Sequence, residues 1–496
     1  MNLVDPILFQ ARYQPAVTAL LTPGACLNLV SYEHLGLIIH NVARRARSCG
    51  LERGHVVALS MRDPLLHVSM ILGLTKLGVV TLTAMTTNLP TSLRIDAVMS
   101  DHGSAPGQGV RLIPVDPEWL RGDAQALEAD VVRSDNDICR LVLTSGTTGE
   151  PKAAAFTHAR VAFRSMRHQT IFGHGFAERS RLLLDMGLAT SMAYMTLFYM
   201  LSRGGTVAFR GSNPGETLQA FLNFGIDAIV GSPLTLAELV EMQSRMPQLF
   251  APFRAIVSIG SILTPTLADR VRACLGTNLI SAYGSTEAGV VATAPAGMIA
   301  RREGAVGYIT PDVRIDVLDD AGQMLPAGET GRLRIRSEVS ANGLLDSANN
   351  LVPFGAEGYF PGDLGAVSQD GVLILSGREN AVINLGGNKI SPERIEQTLA
   401  SFPLLRDVGA FAVMPPTGIK EVGIAIVWQK DIDLQEARPK LQQFLQANFS
   451  RTYVPKIFVQ TDHIPRNENG KIDRDRLQRI AEESVKRMQR NAPATS

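Results

Sequence analysis

The chain lacks several features that would assign its class at once. Its 496 residues include only four cysteines, scattered without metal-ligand spacing, which argues against a cysteine metal centre and favours small core residues in a reducing compartment. Basic and acidic residues nearly cancel, 48 against 47, so no nucleic-acid footprint or polybasic membrane surface is indicated. Internal repeats and low-complexity tracts are also missing. These absences leave an ordinary globular protein as the expectation.

Hydrophobic segments of the kind used for export or membrane insertion are equally scarce. The N-terminus carries Asp5 and Pro6 and lacks a basic start followed by an apolar block, so no signal peptide is expected. Residues 182–201 are almost wholly apolar and about long enough to span a bilayer, but they include Asp185. We interpret them as a strand, a turn near residues 187–191 and a buried helix. We therefore expect a cytoplasmic protein without membrane insertion.

The pattern along the chain predicts an α/β fold. A chain of this length, 45% hydrophobic and 19% charged, is expected to form two or more globular domains. Helical patterns alternate with short apolar runs over the first four hundred residues, and between residues 312 and 367 the pattern changes to short alternating strands typical of an antiparallel β subdomain. From about residue 380 the pattern predicts a separate α+β unit. Its predicted elements are helices 392–400, 438–449 and 473–490 and strands 409–414 and 423–428.

The most informative stretch is LTSGTTGEPK, residues 143–152. It follows a strand-like run, residues 138–143, so the loop is expected at the end of a strand. Its glycines allow close backbone approach, and its hydroxyls and amide N–H groups suit phosphate oxygens. The Walker spacing G-x-x-x-x-G-K-[ST] is absent, so this is not a P-loop. A Ser/Thr/Gly-rich surface loop is the alternative reading of this segment taken alone.

Four further patterns follow this loop in order. They are YGSTEAG at 283–289, GYFPGDLG at 358–365, SGRENAVINLGGNKISPERIE at 376–396 and PRNENGKIDR at 465–474. Together, in this order, they resemble the adenylate-forming superfamily of acyl-CoA synthetases, peptide-synthetase adenylation domains and beetle luciferases. The resemblance covers nearly the whole chain.

The resemblance implies an architecture and a chemistry. It implies a large N-terminal domain of stacked α/β layers plus a β subdomain, residues 1–377, a hinge at 378–380, and a small mobile α+β domain, residues 381–496. It also implies that a carboxylate attacks the α-phosphorus of ATP, giving an acyl-adenylate that then acylates a thiol. ATP, Mg²⁺ and CoA, as the thiol acceptor, are the expected cofactors. Positioning and charge stabilisation are expected to dominate this chemistry.

The resemblance also assigns roles to residues. Thr286 would hydrogen-bond the α-phosphate, Glu287 would hold Mg²⁺, and Asp363 would accept hydrogen bonds from the ribose. Arg378 would fix the nucleotide near the hinge. The remaining nucleotide-binding residues would be Thr144, Ser145, Gly146, Thr147, Thr148, Gly149 and Lys152 for the phosphates, and Gly260, Ser261, Ile262, Tyr283 and Gly284 for the adenine. Taken singly, such residues are more often turn formers, core residues or surface ion pairs.

Lys471 is predicted to be the catalytic residue of the first half-reaction, because P-x-x-x-x-G-K matches at Pro465, Gly470 and Lys471. A flexible point charge there would reach both the carboxylate and the α-phosphate. For the second half-reaction, rotation about the hinge would bring Gly386 and Gly387 beside the pantetheine arm of the thiol.

The chain departs from the family where the acid would bind. Ala189-Thr190-Ser191 replaces the aromatic-His pair of many acyl-CoA synthetases, and Pro361 and Arg332 are unusual in their motifs. No aspartate is well placed to pair with an amino group; Asp185 is a poorly aligned exception. A non-amino, fairly apolar acid, aliphatic or aryl, is therefore favoured. The predicted substrate pocket includes Thr190, Gly231, Ser232 and Ala288.

Three functions remain open from the sequence. The leading one is a free-standing acyl-CoA synthetase acting on a small carboxylic acid with ATP and CoA. The second is an acyl-AMP ligase that loads the phosphopantetheine arm of a separate acyl carrier protein. The third is a binding protein without turnover, against which the intact motifs argue. No nucleic-acid partner is expected.

Overall fold

The computed structural model describes most of the chain. The described residues are 2–84, 89, 93–103, 110–122, 134–144, 152–172, 176, 179–211, 213–247, 249–299, 302–346, 348–355, 357–379, 383–385, 388–413, 421–430, 432–449, 454–467 and 470–491. Within these ranges the chain forms a mixed α/β structure, which confirms the predicted fold class.

Helices are distributed through the whole chain. They are α1 (Asp5–Tyr13), α2 (Tyr32–Ser48), α3 (Pro64–Leu77), α4 (His158–Phe172), α5 (Ser191–Ser202), α6 (Pro214–Phe224), α7 (Pro233–Arg245), α8 (Pro265–Cys274), α9 (Ala296–Ile299), α10 (Pro392–Ala400), α11 (Leu434–Asn448) and α12 (Arg474–Asn491), with a 3₁₀ turn at Pro117–Leu120. Many begin at a side-chain cap: Ser31, Asp63, Thr190 and Ser232 each accept a backbone N–H of the first turn.

Strands fall into two large sheets and a smaller C-terminal set. They are β1 (Thr18–Leu21), β2 (Leu29–Ser31), β3 (Val56–Ser60), β4 (Val80–Thr83), β5 (Ala97–Ser100), β6 (Leu112–Pro114), β7 (Ile138–Thr144), β8 (Lys152–Thr157), β9 (Arg181–Asp185), β10 (Thr206–Ala208), β11 (Ala228–Gly231), β12 (Ala255–Ser258), β13 (Leu279–Ser285), β14 (Gly289–Pro295), β15 (Ala305–Ile309), β16 (Val313–Leu318), β17 (Gly331–Ser337), β18 (Gly343–Leu345), β19 (Leu351–Val352), β20 (Asp363–Val367), β21 (Val372–Arg378), β22 (Ile383–Leu385), β23 (Asn388–Ile390), β24 (Leu405–Val413), β25 (Glu421–Trp428) and β26 (Ile457–Gln460).

The larger sheet has the strand order β16-β17-β20-β21-β15-β14-β13-β12-β11-β9-β10-β1-β2. The run from β13 to β1 is parallel, whereas the run from β14 to β16 is antiparallel. Because parallel strands end at the same edge of a sheet, the chain segments after β9, β11, β12 and β13 lie along one edge. Ligands of open α/β sheets bind at this kind of edge.

The second sheet has the order β19-β18-β8-β7-β4-β3-β5-β6 and covers the first. One hydrophobic cluster joins residues of both sheets with α2, α3 and α5. Helix α3 is buried on all sides from Leu65 to Leu77, which is expected for a helix enclosed between two layers. A second cluster packs α7 and α8 on the other face of the larger sheet. These are the stacked α/β layers that the sequence predicts.

Residues 383–491, called here the C-terminal unit, have a sheet and cores of their own. Strands β24, β25 and β26 form a three-stranded sheet, and β22 pairs with β23. One hydrophobic cluster packs α10 and α11 on this sheet, and another packs α12 through Leu477 and Ala481. The predicted α+β character of this part of the chain is confirmed.

Two details differ from the sequence prediction. The β subdomain of residues 312–367 is not one sheet, because β18 leaves it and pairs with β8 of the second sheet. Helix α11 begins four residues earlier than predicted, since Asp433 caps it by accepting the N–H of Gln435. By contrast, β9 and α5 reproduce the predicted strand and buried helix of residues 182–201. No helix in the described ranges is long and apolar enough to cross a membrane.

Candidate active site

A buried carboxylate joins two neighbouring strands at the edge of the larger sheet. Asp363, the first residue of β20, is 8% exposed and lies opposite Arg378, the last residue of β21. Its Oδ1 is 2.8 Å from Nε of Arg378, and its Oδ2 accepts a hydrogen bond from the Tyr283 hydroxyl on β13. Burial, and then the Asp363 carboxylate, raises the pKa of Tyr283, so this hydroxyl remains a donor. A carboxylate has about four acceptor positions, so Asp363 retains capacity for two further donors.

Glu287 lies beside this cluster, in the turn between β13 and β14. Its side chain is 6% exposed. The Glu287 carboxylate lies close to the Tyr359 hydroxyl, and burial, followed by this carboxylate, raises the pKa of the tyrosine. Tyr359 also senses the charges of Arg378 and Asp363. The predicted metal-binding and ribose-binding carboxylates therefore face the same crevice.

Lys471 reaches this crevice from the C-terminal unit. Its turn is closed by a bond from the Asn467 N–H to the Lys471 carbonyl (2.8 Å) and by the Lys471 N–H, which donates to Oδ1 of Asn467 (3.1 Å). Removal from bulk water lowers the pKa of Lys471 from its usual 10.5, and the charge of Arg378 lowers it further. Asp363 and Glu287 act in the opposite direction. These four groups therefore lie near enough to interact electrostatically, and Lys471 is crowded by protein atoms while part of its surface stays exposed.

The lysine turn rests directly on the N-terminus of α7. Gly470 has φ of +73°, and a β-carbon on it would lie 2.8 Å from Oγ of Ser232. Ser232 is itself held by a capping box with Thr235. A cavity of about 170 Å³ lies at this junction, lined by Asp185, Met186, Arg210, Ser232, Leu234, Thr235, Glu238, Asn467 and Gly470. The C-terminal unit thus occupies a position in which its lysine lies near residues that are predicted to bind the nucleotide.

The predicted phosphate loop lies between two paired strands. Thr144 ends β7 and Lys152 begins β8, and these residues are directly opposite each other in the antiparallel pair. The Thr144 hydroxyl donates to the Lys152 carbonyl at 3.4 Å. The predicted loop residues Ser145, Gly146, Thr147, Thr148 and Gly149 lie outside the described residues, as do Gly386, Gly387 and the hinge residue Asn380.

The residues predicted to line the acid pocket occupy different environments. Thr190 caps α5 and Ser232 caps α7, and Gly231 ends β11. Ala288 is fully buried in the hydrophobic cluster of the β subdomain. Asp185 is paired with Arg210 at 2.7 Å, and Arg210 also contacts Glu238 at 2.6 Å.

The residues predicted to sandwich the adenine come from the same edge of the sheet. Gly260 to Ile262 follow β12, and Ile262 packs against the same cluster as Tyr283. Gly284 is required by close packing, since a β-carbon there would lie 2.2 Å from the Gly289 carbonyl oxygen.

A central residue that the sequence analysis missed is Arg164 on α4. Its Nη atoms donate to the carbonyls of Thr286 (2.9 Å) and Glu287 (2.6 Å) and to the Ser191 hydroxyl (3.1 Å). Its Nε donates to the Val339 carbonyl at 2.5 Å. Burial lowers its pKa to about 9, so it remains charged at neutral pH. The sequence carries a signal for this residue: an arginine on the buried face of its helix.

Two other missed features support the lysine turn. Arg474, three residues after Lys471, forms ion pairs with Glu393 at 2.9 Å and with Glu396 on α10. The Ser391 hydroxyl, which caps α10, donates to the Ser376 carbonyl of β21 at 2.5 Å. The position of the turn is therefore linked through α10 to the strand that carries Arg378. The first feature could have been read from the charged residues of the two C-terminal motifs, but their pairing requires the fold.

Residues 9–345 match the family described as AMP-binding enzyme. The chain belongs to that family. It is similar to 4-chlorobenzoate–CoA ligase of Arthrobacter sp, with 25% identity over 507 residues, covering 95% of this chain and 94% of that protein. It is also similar to surfactin synthase subunit 2 of Bacillus subtilis, with 27% identity over 503 residues, covering 94% of this chain but only 14% of that much longer protein.

The same fold is found in solved structures. An o-succinylbenzoate CoA synthetase from Bacillus subtilis, in complex with ATP and a magnesium ion, superposes with a TM-score of 0.79 at 21% identity. The match covers 95% of this chain and 99% of that one.

The residues around Glu287 are compatible with a magnesium ion carried by a nucleotide. The described residues contain no group of three or more metal-binding side chains. Magnesium commonly binds one or two carboxylates together with substrate phosphates and water, so a single buried carboxylate beside the predicted phosphate-binding residues fits that ion.

Proposed function

We propose that this protein is an AMP-forming acid–thiol ligase that activates a non-amino carboxylic acid with ATP and transfers the acyl group to CoA. The observation that carries the proposal is the position of Lys471. This ammonium, supplied by the C-terminal unit, lies within electrostatic range of Asp363, Arg378 and Glu287. The chemistry requires a cation where a carboxylate and a phosphate meet.

In the first step, a carboxylate oxygen of the acid would bond to the α-phosphorus of ATP while the bond to the bridging oxygen of pyrophosphate breaks. Two anions approach each other, so charge stabilisation and orientation dominate the barrier. Asp363 would accept hydrogen bonds from the ribose hydroxyls. Arg378 and Lys471 would supply positive charge beside the reacting carboxylate and phosphate. Mg²⁺ held by Glu287 would neutralise phosphate charge.

In the second step, the thiol sulfur of CoA would attack the acyl carbon. The bond between the acyl carbon and the AMP oxygen breaks, AMP leaves, and the thiol proton passes to solvent. Family membership and the similarity to named CoA ligases support CoA as the acceptor.

The charges near the predicted acid pocket support an acid without an amino group. Asp185 is engaged by Arg210, which also binds Glu238, so this carboxylate has a counter-charge already. An ammonium group on the substrate would have to break that ion pair. An apolar aliphatic or aryl acid avoids this cost.

ATP–pyrophosphate exchange over a panel of carboxylic acids tests the proposal. The panel should pair each aryl and aliphatic acid with an amino acid of similar size, and each active acid should then be tested with CoA and with a phosphopantetheinyl carrier protein. We expect exchange with non-amino acids and AMP release stimulated by CoA. If exchange occurs but CoA does not stimulate AMP release, and the carrier protein is acylated, then the carrier protein and not CoA is the acceptor. A folded protein with no exchange for any acid would overturn the ligase assignment.

A further inference from the structure

A positive charge is buried beside the turn that precedes Thr190, one of the predicted acid-pocket residues. Arg140, on β7, has no exposed surface, although the neighbouring residues of its strand are apolar. Its Nη2 donates to the Leu188 carbonyl at 2.6 Å and to the Thr83 hydroxyl at 2.8 Å. Its guanidinium carbon lies 4.6 Å from the centre of the Tyr194 ring. Every contact is therefore to a neutral group.

This charge has no acidic partner among the described residues, and its buried Nε has no hydrogen-bond acceptor there. Burial lowers the pKa of Arg140 to about 10, so it remains protonated at neutral pH. The nearby His67, which bonds the Thr83 hydroxyl at 2.9 Å, is neutral because burial lowers its pKa to about 3. Burying an unpaired cation is costly, and an apolar side chain of similar size is often at least as stable. Stability alone therefore does not explain this arginine.

The buried charge lies at the start of α5. Arg140 binds the carbonyl of Leu188, and Arg164 binds the hydroxyl of Ser191, so two buried guanidinium groups contact residues on either side of Thr190. Thr190 is the cap of this twelve-residue helix. The N-terminal end of a helix carries a partial positive charge of its own. Three sources of positive potential therefore meet at one place.

The same place is connected to the predicted phosphate-binding residues. Arg164 links Ser191 to the carbonyls of Thr286 and Glu287, so the start of α5 and the predicted α-phosphate residue share one buried group. An acid whose carboxylate binds at the start of α5 would therefore lie beside the residues predicted to bind the nucleotide. Thr190 is also the position where the aromatic-His pair of many acyl-CoA synthetases is missing.

We propose that Arg140 is a positioning residue for the acid: its buried charge, acting with the N-terminus of α5, draws the substrate carboxylate to Thr190, and its bond to Leu188 holds the turn before that helix. The inference rests on the proposed ligase function. Leu188 and Thr190 are two residues apart, which places the guanidinium within roughly 10 Å of Thr190. At an effective dielectric constant of about 20, that attraction changes binding roughly tenfold.

Three variants of Arg140 separate charge from structure. Arg140→Lys keeps the charge, Arg140→Gln keeps donors but is neutral, and Arg140→Met is apolar and similar in length. Arg167→Met is the matched control, because Arg167 on α4 is also buried but is paired with Asp312 at 2.6 Å. Thermal unfolding establishes which variants are folded, and ATP–pyrophosphate exchange gives KM for the acid and for ATP.

The expected result is a KM for the acid raised about tenfold in both neutral variants. KM for ATP should change less than about threefold, since Thr144 lies beyond Arg140 on the extended strand β7, about 13 Å away between Cα atoms. Arg140→Lys should remain within about threefold of the wild type. Arg167→Met should lower the melting temperature without changing KM for the acid.

Unchanged KM for the acid in folded Arg140→Gln and Arg140→Met would overturn the inference. An equal rise in KM for the acid and for ATP, or unfolding of both neutral variants, would show that Arg140 only stabilises the fold. Either result would also overturn the inference. Absence of exchange in the wild type would instead reject the proposed ligase function.

Discussion

The contact between Gly470 and Ser232 makes the substitution Gly470→Ala a specific test of how the two parts of the chain cooperate. An alanine β-carbon would lie 2.8 Å from Oγ and 3.2 Å from Cβ of Ser232. Ser232 has little freedom to move, because its hydroxyl accepts the Thr235 N–H and its own N–H donates to the Thr235 hydroxyl, both at 3.3 Å. In the Gly470→Ala variant the turn that carries Lys471 therefore cannot dock on α7 unless the alanine or Ser232 is displaced.

Two separate costs follow from this substitution. Alanine at φ of +73° is strained by about 1 kcal/mol. This strain is the same whether or not the turn is docked on α7. The overlap with Ser232 costs about 1–2 kcal/mol, as overpacking usually does, but only when the turn is docked. The docked position should thus be disfavoured roughly 5- to 30-fold.

Single-turnover measurements of each half-reaction distinguish these costs. Gly470→Ala should slow formation of the acyl-adenylate by that factor while transfer to CoA from a supplied adenylate changes less than about twofold. Ser232→Ala removes the nearer atom, so the double variant should recover part of the loss. A double-mutant cycle corrects for the helix cap that Ser232→Ala also removes, a cost of about 1 kcal/mol.

Two results would refute this reasoning. One is an unchanged rate of adenylate formation in folded Gly470→Ala. The other is an equal slowing of both half-reactions, which would indicate general damage to the C-terminal unit. Strictly additive effects of the two substitutions would show that Gly470 and Ser232 do not meet during catalysis.

Three further predictions concern the charged groups of the crevice. Lys471→Ala should abolish adenylate formation and largely spare thiolation of a supplied adenylate, as measured by separate half-reaction assays; loss of both in a folded variant would contradict its role. Because burial and Arg378 lower the pKa of Lys471, its ammonium loses a proton as pH rises sooner than a free lysine does, so adenylate formation should decline at a pH below 10.5. Lys471→Arg should move that decline upward in a pH–rate profile, and an identical alkaline limb would reject the assignment. Arg164→Met should lower the free energy of unfolding by about 3 kcal/mol, because it removes donors from the Thr286 and Glu287 carbonyls, and should also reduce kcat; denaturant unfolding showing full stability would contradict this.

The sequence predicted best those features that depend on neighbouring residues. The strand, turn and buried helix of residues 182–201 follow from local hydrophobicity and from Gly187, and the structure has them as β9 and α5. The end of the first strand at Thr144 was also predictable, because the apolar run stops where the Ser/Thr/Gly-rich segment begins. Motif order further identified the residues that meet around Asp363.

Contacts between distant parts of the chain could not be predicted in the same way. Arg164 binds carbonyls that lie more than 120 residues later, and no local pattern specifies those partners. Strand β18 pairs with β8, although its own sequence resembles the neighbouring strands of the β subdomain. Ser232 was predicted to line a pocket, and only the fold reveals that it also supports the turn carrying Lys471. The sequence signal for both Arg140 and Arg164 is an arginine among the apolar residues of a strand or of a buried helix face.

The pairing of Asp363 with Arg378 across β20 and β21 places the predicted ribose-binding carboxylate directly beside the predicted hinge, residues 378–380. A nucleotide bound to Asp363 and Arg378 would therefore contact the chain directly beside the predicted hinge. We therefore expect release of AMP and rotation of the C-terminal unit at the predicted hinge to be directly coupled, without a chain of contacts through the protein core.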